Sequence, residues 1–190
     1  ANQVATYDFD GTKYITFGVA HETILPRHIS LDGSDDNVKI DAVNDLPGTF
    51  SMMVWVRPIG QNDAASDRTI VSKYDGTSGY KVYLGTDNKV NVSWIGGTTL
   101  TSSVALPNAV WHNVTVVYTS GDIKLYLDGV LDSTVTSAAP IATSNMFSIG
   151  GEYRSKTDIR NLFKGDIDEL RMFSSALTLA EIRFIMNQEI

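Results

Sequence analysis

Residues 31–38, LDGSDDNV, put the carboxylates of Asp32, Asp35 and Asp36 and the amide of Asn37 into one short stretch. Like charges this close repel unless something neutralises them. A hard divalent cation such as calcium takes roughly six to eight oxygens from carboxylates, carbonyls and water. This stretch offers that donor chemistry, and Gly33 lets the backbone turn toward a metal. It is not an EF-hand: counting from Asp32, the sixth position is Asn37 rather than glycine and the twelfth is Val43 rather than glutamate. The competing reading is an Asx turn, with Asp32 bonded to its own backbone and the other carboxylates in water. A second acidic feature is DIDE, 166–169, where Asp168 stands between Ile167 and Leu170 in an otherwise apolar strand pattern and needs a partner.

The three histidines are His21, His28 and His112, and neither G-x-S-x-G nor H-E-x-x-H occurs. His21 and His28 flank a proline-containing segment seven residues apart, a weak basis for a metal site. Cysteine is absent, which excludes disulfides and thiolate metal sites. Sugar rings stack on exposed Trp or Tyr, which join an apolar face to a hydrogen-bonding tip. Trp94, just before Gly96-Gly97, is the leading exposed candidate, followed by Tyr74, Tyr80 and Tyr153, with Arg154 beside the last. Each competes with ordinary core packing. Asn91 and Asn113 open sequons that fall inside strand patterns and matter only in a eukaryotic secretory pathway.

The elements that must position these groups read as strands. TFSMMVWVRP (49–58) is β-branched, aromatic and apolar and stops at a proline. RTIVSKYD, YKVYLGTDNKVNVSWI, WHNVTVVYTSGDIKLYLDGVLDSTV and MFSIGG follow, and Asp128-Gly129 is a two-residue hairpin signal. Ile123, Leu125 and Leu127 alternate with Lys124 and Tyr126, so that strand has one buried face. Many short strands with turn punctuation predict an all-β, two-sheet sandwich or jelly roll. Thr178 and Glu181 form a capping box ahead of Ile182, Ile185 and Met186, which predicts a short C-terminal helix packed on the sandwich.

The bulk numbers agree. Hydrophobic residues are 43% and charged residues 19% of 190, a globular composition, and residues 1–190 read as one domain. A net charge of −7 argues against nucleic acid and suits a protein that recruits cations. No apolar run approaches the roughly 20 residues a membrane-spanning helix needs.

From 31 to 186 the chain resembles the laminin G-like jelly-roll modules, relatives of concanavalin A and the pentraxins. Ile149-Gly150-Gly151, then Phe163, Gly165, Ile167, Asp168 and Glu169, then Ala176, Leu177, Glu181 and Ile182 resemble the closing stretch of that family. FSMMVWVRP, IVSKYDGTSGYKVYL, WHNVTVVYTSGDIKLYLDG and LDGSDDNV resemble its earlier strands in the same order. The resemblance implies an antiparallel, concanavalin A-like jelly roll, core positions for Trp55 and Trp111, and a hydrogen-bonded structural role for His112. It also implies a structural calcium bridging the acidic loop to Asp168. In pentraxins the loop after the glycine strand holds two calciums. Here Glu152 matches one ligand, but Tyr153 and Arg154 stand where the others belong, so IGGEYRSKTD reads as surface or recognition edge. Family-16 glycoside hydrolases use E-x-D-x-(x)-E. Asp166 and Asp168 fill two places, Leu170 leaves the third empty and Glu169 points to the other face of a regular strand, so paired-acid catalysis is incomplete.

The expected function is therefore a non-catalytic extracellular or cell-surface recognition module, bacterial, one part of a larger protein. It binds glycan or a cell-surface protein and carries structural calcium. Its rivals are a ligandless spacer or protein-interaction domain, and a polysaccharide hydrolase or lyase.

Overall fold

The computed structural model describes residues 28–41, 46, 48–60, 66–119, 121–188; His21 lies outside them. The strands, in chain order, are β1 (Ile29–Asp32), β2 (Val38–Ile40), β3 (Thr49–Pro58), β4 (Arg68–Tyr74), β5 (Gly79–Leu84), β6 (Lys89–Trp94) and β7 (Leu100–Ala105). They continue as β8 (His112–Thr119), β9 (Asp122–Leu127), β10 (Val130–Thr136), β11 (Phe147–Ile149), β12 (Glu152–Ser155), β13 (Asp158–Arg160) and β14 (Lys164–Phe173), and the chain closes on helix α1 (Leu179–Met186). They form two six-stranded sheets and one ribbon. The first sheet runs β1-β14-β3-β8-β9-β10, the second β2-β11-β4-β5-β6-β7, and the ribbon pairs β12 with β13. Every pairing is antiparallel, giving the jelly-roll sandwich.

Alternation explains which residues meet between the sheets. Met52, Val54 and Val56 of β3, Val114 and Val116 of β8, and Ile123, Leu125 and Leu127 of β9 face Ile70, Val82, Leu84, Val90, Val92 and Ile149 in one core. On the opposite face of the first sheet α1 covers a smaller apolar patch. Met53, Val117 and Tyr126 bury against Leu177 and Ile182. The helix starts as its sequence dictates: Thr178 Oγ1 accepts from Glu181 N at 3.3 Å, and Glu181 Oε2 accepts from Thr178 N at 2.7 Å. Such a cap contributes about 1 kcal/mol. Asp128, at φ 50, and Gly129, at φ 70, make the hairpin between β9 and β10. Arg183 Nε donates to Gly129 O at 2.9 Å, seating that hairpin on the helix.

The resemblance predicts core positions for Trp55 and Trp111, and the structure corrects this. Both are half-buried. Trp55 shares the outward parity of Met53 and stands in register with Asp168 and Asn113, outside the core. Thr49, Ser51 and Arg57 share the parity of Trp55, while Phe50, Met52, Val54 and Val56 are uniformly apolar, so alternation already sets Trp55 outward.

Candidate functional site

The second sheet turns its other face outward, and β5 shows how that face is built. In GYKVYL, Tyr80, Val82 and Leu84 enter the core, so Lys81 and Tyr83 project away from it. Lys81 lies in register with Ser72 and Ser93, and Tyr83 with Thr69 and Asn91. Thr101 of β7 extends the row beyond Asn91, donating from Oγ1 to Asn91 Oδ1 at 2.7 Å. Tyr74 is in register with Gly79, where an added Cβ would fall 1.9 Å from Lys73 O.

Onto this face β12 brings Glu152, whose side chain is 0% exposed. One carboxylate oxygen accepts from Lys81 Nζ at 3.1 Å and Asn161 Nδ2 at 2.9 Å. The other accepts from Arg154 Nε at 2.6 Å and Nη2 at 2.5 Å. A carboxylate this deep persists only when paired and hydrogen-bonded. Burial pushes its pKa up, but Lys81, Arg154 and Asn161 outweigh burial and hold it below the ordinary glutamate value. The two cations are in turn placed over rings. Lys81 Nζ is 4.5 Å from the Tyr83 centroid and 5.4 Å from that of Tyr74, with the Arg154 guanidinium 5.6 Å from Tyr74. Burial raises the Tyr83 phenol, and Asp67 nearby adds to it. Asp67 is itself raised by burial; Lys81 opposes the rise while Glu152 and Asp87 add to it.

Of the residues the sequence singles out for ligand contact, Tyr74 and Arg154 lie on this face. Three are corrected. Trp94 is 4% exposed, inside the core against Phe50 and Tyr118, and its Nε1 donates to Ala138 O at 2.7 Å. Val90, Val92 and Trp94 share parity in KVNVSW, so the alternation that found the strand also assigns the tryptophan inward. Tyr80 is 4% exposed in the same core. Tyr153 is 6% exposed, with Lys39 Nζ 5.4 Å from its centroid. Glu152, expected as surface, is the buried anchor. Its link to Lys81 spans 71 residues of sequence, beyond any local signal.

The acidic loop stands elsewhere. Asp32, Asp35 and Asp36 are exposed, and each places a carboxylate oxygen within 4.8 Å of the others. The Asx turn forms as well: Asp32 Oδ1 accepts from Ser34 N at 2.7 Å, and Asp36 Oδ2 accepts from Asp32 N at 3.1 Å. Leu31 anchors the loop in the core against Gly150, where an added Cβ would fall 2.3 Å from Leu31 Cδ1. An all-oxygen set open to water on one side fits a hard cation. Asp168 is not part of it. Asp32 is in register with Lys164, so Asp168 lies four residues on, about 13 Å along β14. There Asp168 Oδ1 accepts from Glu169 N at 2.8 Å. Burial raises its carboxyl, Glu169 N opposes, and the Glu169 charge adds.

The carboxylate that β1 does meet is Asp166, 3% exposed. It accepts from Ser30 Oγ at 2.6 Å and from Arg57 Nε at 2.6 Å and Nη2 at 2.5 Å, with His28 Nε2 at 3.4 Å. Asp166 and Asp168 therefore face outward from the first sheet, one locked by Arg57 and the other beside Trp55. The strand is not regular here: a bulge follows Asp168, Glu169 takes φ 47, and its carboxylate turns to Arg171 Nη2 at 2.8 Å. His112 Nδ1 is 2.9 Å from Asp128 Oδ2, a hydrogen-bonded pair at the foot of β8.

Comparison with known proteins gives the chain its relatives. The sequence matches the concanavalin A-like lectin/glucanases superfamily over residues 32–183. No curated protein sequence matches it. Among solved structures, the Ruminococcus gnavus IT-sialidase CBM40 bound to α2,3-sialyllactose superposes with TM-score 0.61 at 14% identity, covering 80% of this chain and 96% of that one. Domain 4 of AbnA, a GH43 extracellular arabinanase of Geobacillus stearothermophilus in complex with arabinotriose, gives 0.63 at 19% identity over 95% and 85%. The heptameric SAP-like pentraxin of Limulus polyphemus gives 0.62 at 13% identity over 83% and 80%. At such identities the likeness is one of fold.

Proposed function

Because the chain belongs to the concanavalin A-like lectin/glucanases superfamily, we propose that it is a non-catalytic carbohydrate-recognition module whose ligand lies on the outward face of β4, β5, β6 and β7. The observation that carries this reading is Glu152. A fully buried carboxylate fixes Lys81 and Arg154 above Tyr74 and Tyr83 on a solvent-facing sheet. Most outward sheet positions tolerate any polar residue. A buried charge is costly, and spending it to orient two surface cations preorganises donors for a ligand. Ser93 and Thr101 continue the row with hydroxyls, groups that pair with sugar hydroxyls, and Asn91 holds the Thr101 hydroxyl in place. The sialidase CBM40 and arabinanase domain 4 structures contain sialyllactose and arabinotriose, which supports a sugar ligand for this fold.

Asp32, Asp35 and Asp36 would hold a calcium ion, whose charge offsets their mutual repulsion and stiffens the loop between β1 and β2. The metal's role is structural, with no chemistry routed through it. The module works outside the cell as part of a larger protein, in keeping with the extracellular arabinanase among its structural neighbours. The carboxylates of β14 do not make a catalytic pair, since Asp166 is already bonded by Arg57, Ser30 and His28.

Screening the protein against plant, algal and host glycans tests the reading. Binding to at least one glycan, weakened tenfold or more by Tyr83→Ala and unchanged by Trp55→Ala, is expected. A blank array would favour the ligandless spacer instead, and binding untouched at Tyr83 would move the ligand off this face.

A further inference from the structure

We propose that the ligand of this face is an acidic sugar, with a carboxylate or sulfate group seated on Lys81 and Arg154. This rests on the carbohydrate-recognition reading above and narrows it.

Charge distribution carries the inference. The protein as a whole is at −7, yet Lys39, Lys81, Arg154 and Arg160 are brought together by β2, β5 and the β12–β13 ribbon. Their nearest carboxylates are engaged: Glu152 is wholly buried beneath Lys81 and Arg154, and Asp158 takes Arg160 Nε at 2.5 Å and Nη2 at 3.0 Å. Glu152 therefore cannot reach a ligand, while the cations it orients remain 15% and 31% exposed. Arg154 spends Nε and Nη2 on Glu152. Its Nη1 is not among the atoms spent on Glu152, and the side chain keeps 31% of its exposure. An edge of a planar guanidinium is matched by an oxyanion.

The rings point the same way. Lys81 and Arg154 lie over Tyr74 and Tyr83, so the ring faces that would stack on a neutral sugar are already occupied by cations. Recognition then falls to charge at this end of the face and to the hydroxyls of Ser93 and Thr101 at the other. Asp67, near Lys81 and Tyr83, is the opposing charge, and it sets a gain-of-binding test.

The experiment is isothermal titration of the whole chain with trigalacturonate, its methyl ester, and a sulfated and a desulfated keratan oligosaccharide. Trigalacturonate or the sulfated oligosaccharide should bind at least about tenfold more tightly than its neutral counterpart. Whichever does names the source of the anion. Lys81→Met should remove that preference, and Asp67→Asn should strengthen acidic-sugar binding severalfold, a gain that misfolding cannot imitate. Equal binding of the acid and its ester, or no gain in Asp67→Asn, would overturn the acidic class while leaving a neutral-sugar site standing. Absence of binding by any sugar at this face would overturn both.

Discussion

Replacing Glu152 by glutamine tests the physical basis of the site. Gln is nearly isosteric, so packing is kept while the charge is removed. The native carboxylate takes four donor contacts, from Lys81, Asn161 and two Arg154 nitrogens, with no solvent exposure. Removing one member of a buried ion pair costs about 3–5 kcal/mol. Lys81 and Arg154 can partly rehydrate, being 15% and 31% exposed, so the cost falls to the bottom of that range or just below it, about 2–3 kcal/mol. For a chain of this length that is a fall in Tm of roughly 5–10 °C. The sign with pH follows from the depressed Glu152 pKa. The ionised carboxylate stabilises the fold above the unfolded value of about 4.3, and that contribution is lost as pH falls through the folded value. Urea denaturation at pH 7 and at pH 3 should therefore show a large difference between wild type and Glu152→Gln at pH 7 that shrinks at pH 3. A loss below about 0.5 kcal/mol at pH 7, or one that does not change with pH, would refute the argument that Glu152 is a charged anchor.

Three further outcomes are expected. Trp94→Ala should destabilise by about 3–5 kcal/mol, read by chemical denaturation, because it empties a core site beside Phe50 and Tyr118 and orphans Ala138 O. Adding calcium to chelated protein should raise Tm, by the equivalent of about 2.7 kcal/mol at a hundredfold excess over Kd. The rise should vanish in Asp36→Asn and persist in Asp168→Asn; an unchanged Tm in wild type would remove calcium from the account. Asp168→Asn should itself stabilise the protein at pH 7, since burial raises that carboxyl and ionising it costs folding energy. The gain accrues as pH rises from the unfolded toward the folded pKa and should disappear near pH 3, as denaturation at the two pH values will read.

The sandwich was legible because its strands obey a period of two, and the α1 cap because Thr178 and Glu181 lie one turn apart. The site was less so, for two physical reasons. Alternation in TFSMMVWVRP sets Trp55 outward with Thr49, Ser51 and Arg57, but a period of two does not reveal what covers that outward face. The anchor is a long-range pairing: Lys81 and Glu152 look like unremarkable surface charges until β5 and β12 come together. Trp94 is different. Its inward parity is present in KVNVSW, and the double glycine that follows marks the turn after the strand without exposing the ring. Asp168 was a sound anomaly with the wrong partner, because its distance from the loop is set by strand register.

The pairing of β1 with β14 has a mechanical consequence. The strands are antiparallel, so the chain enters β1 at Ile29 and leaves β14 at Phe173 toward the same end of the sheet. Tension on the flanking chain would peel β1 away rung by rung, from Ile29–Ile167 toward Asp32–Lys164, instead of shearing all the rungs at once. Before it reached β14, the load would have to strip α1 from Met53, Val117 and Tyr126. Once β1 had yielded, Leu31 would leave Gly150 and carry the three aspartates with it, so a pulled module would lose its acidic loop while β4 to β7 still held their face together.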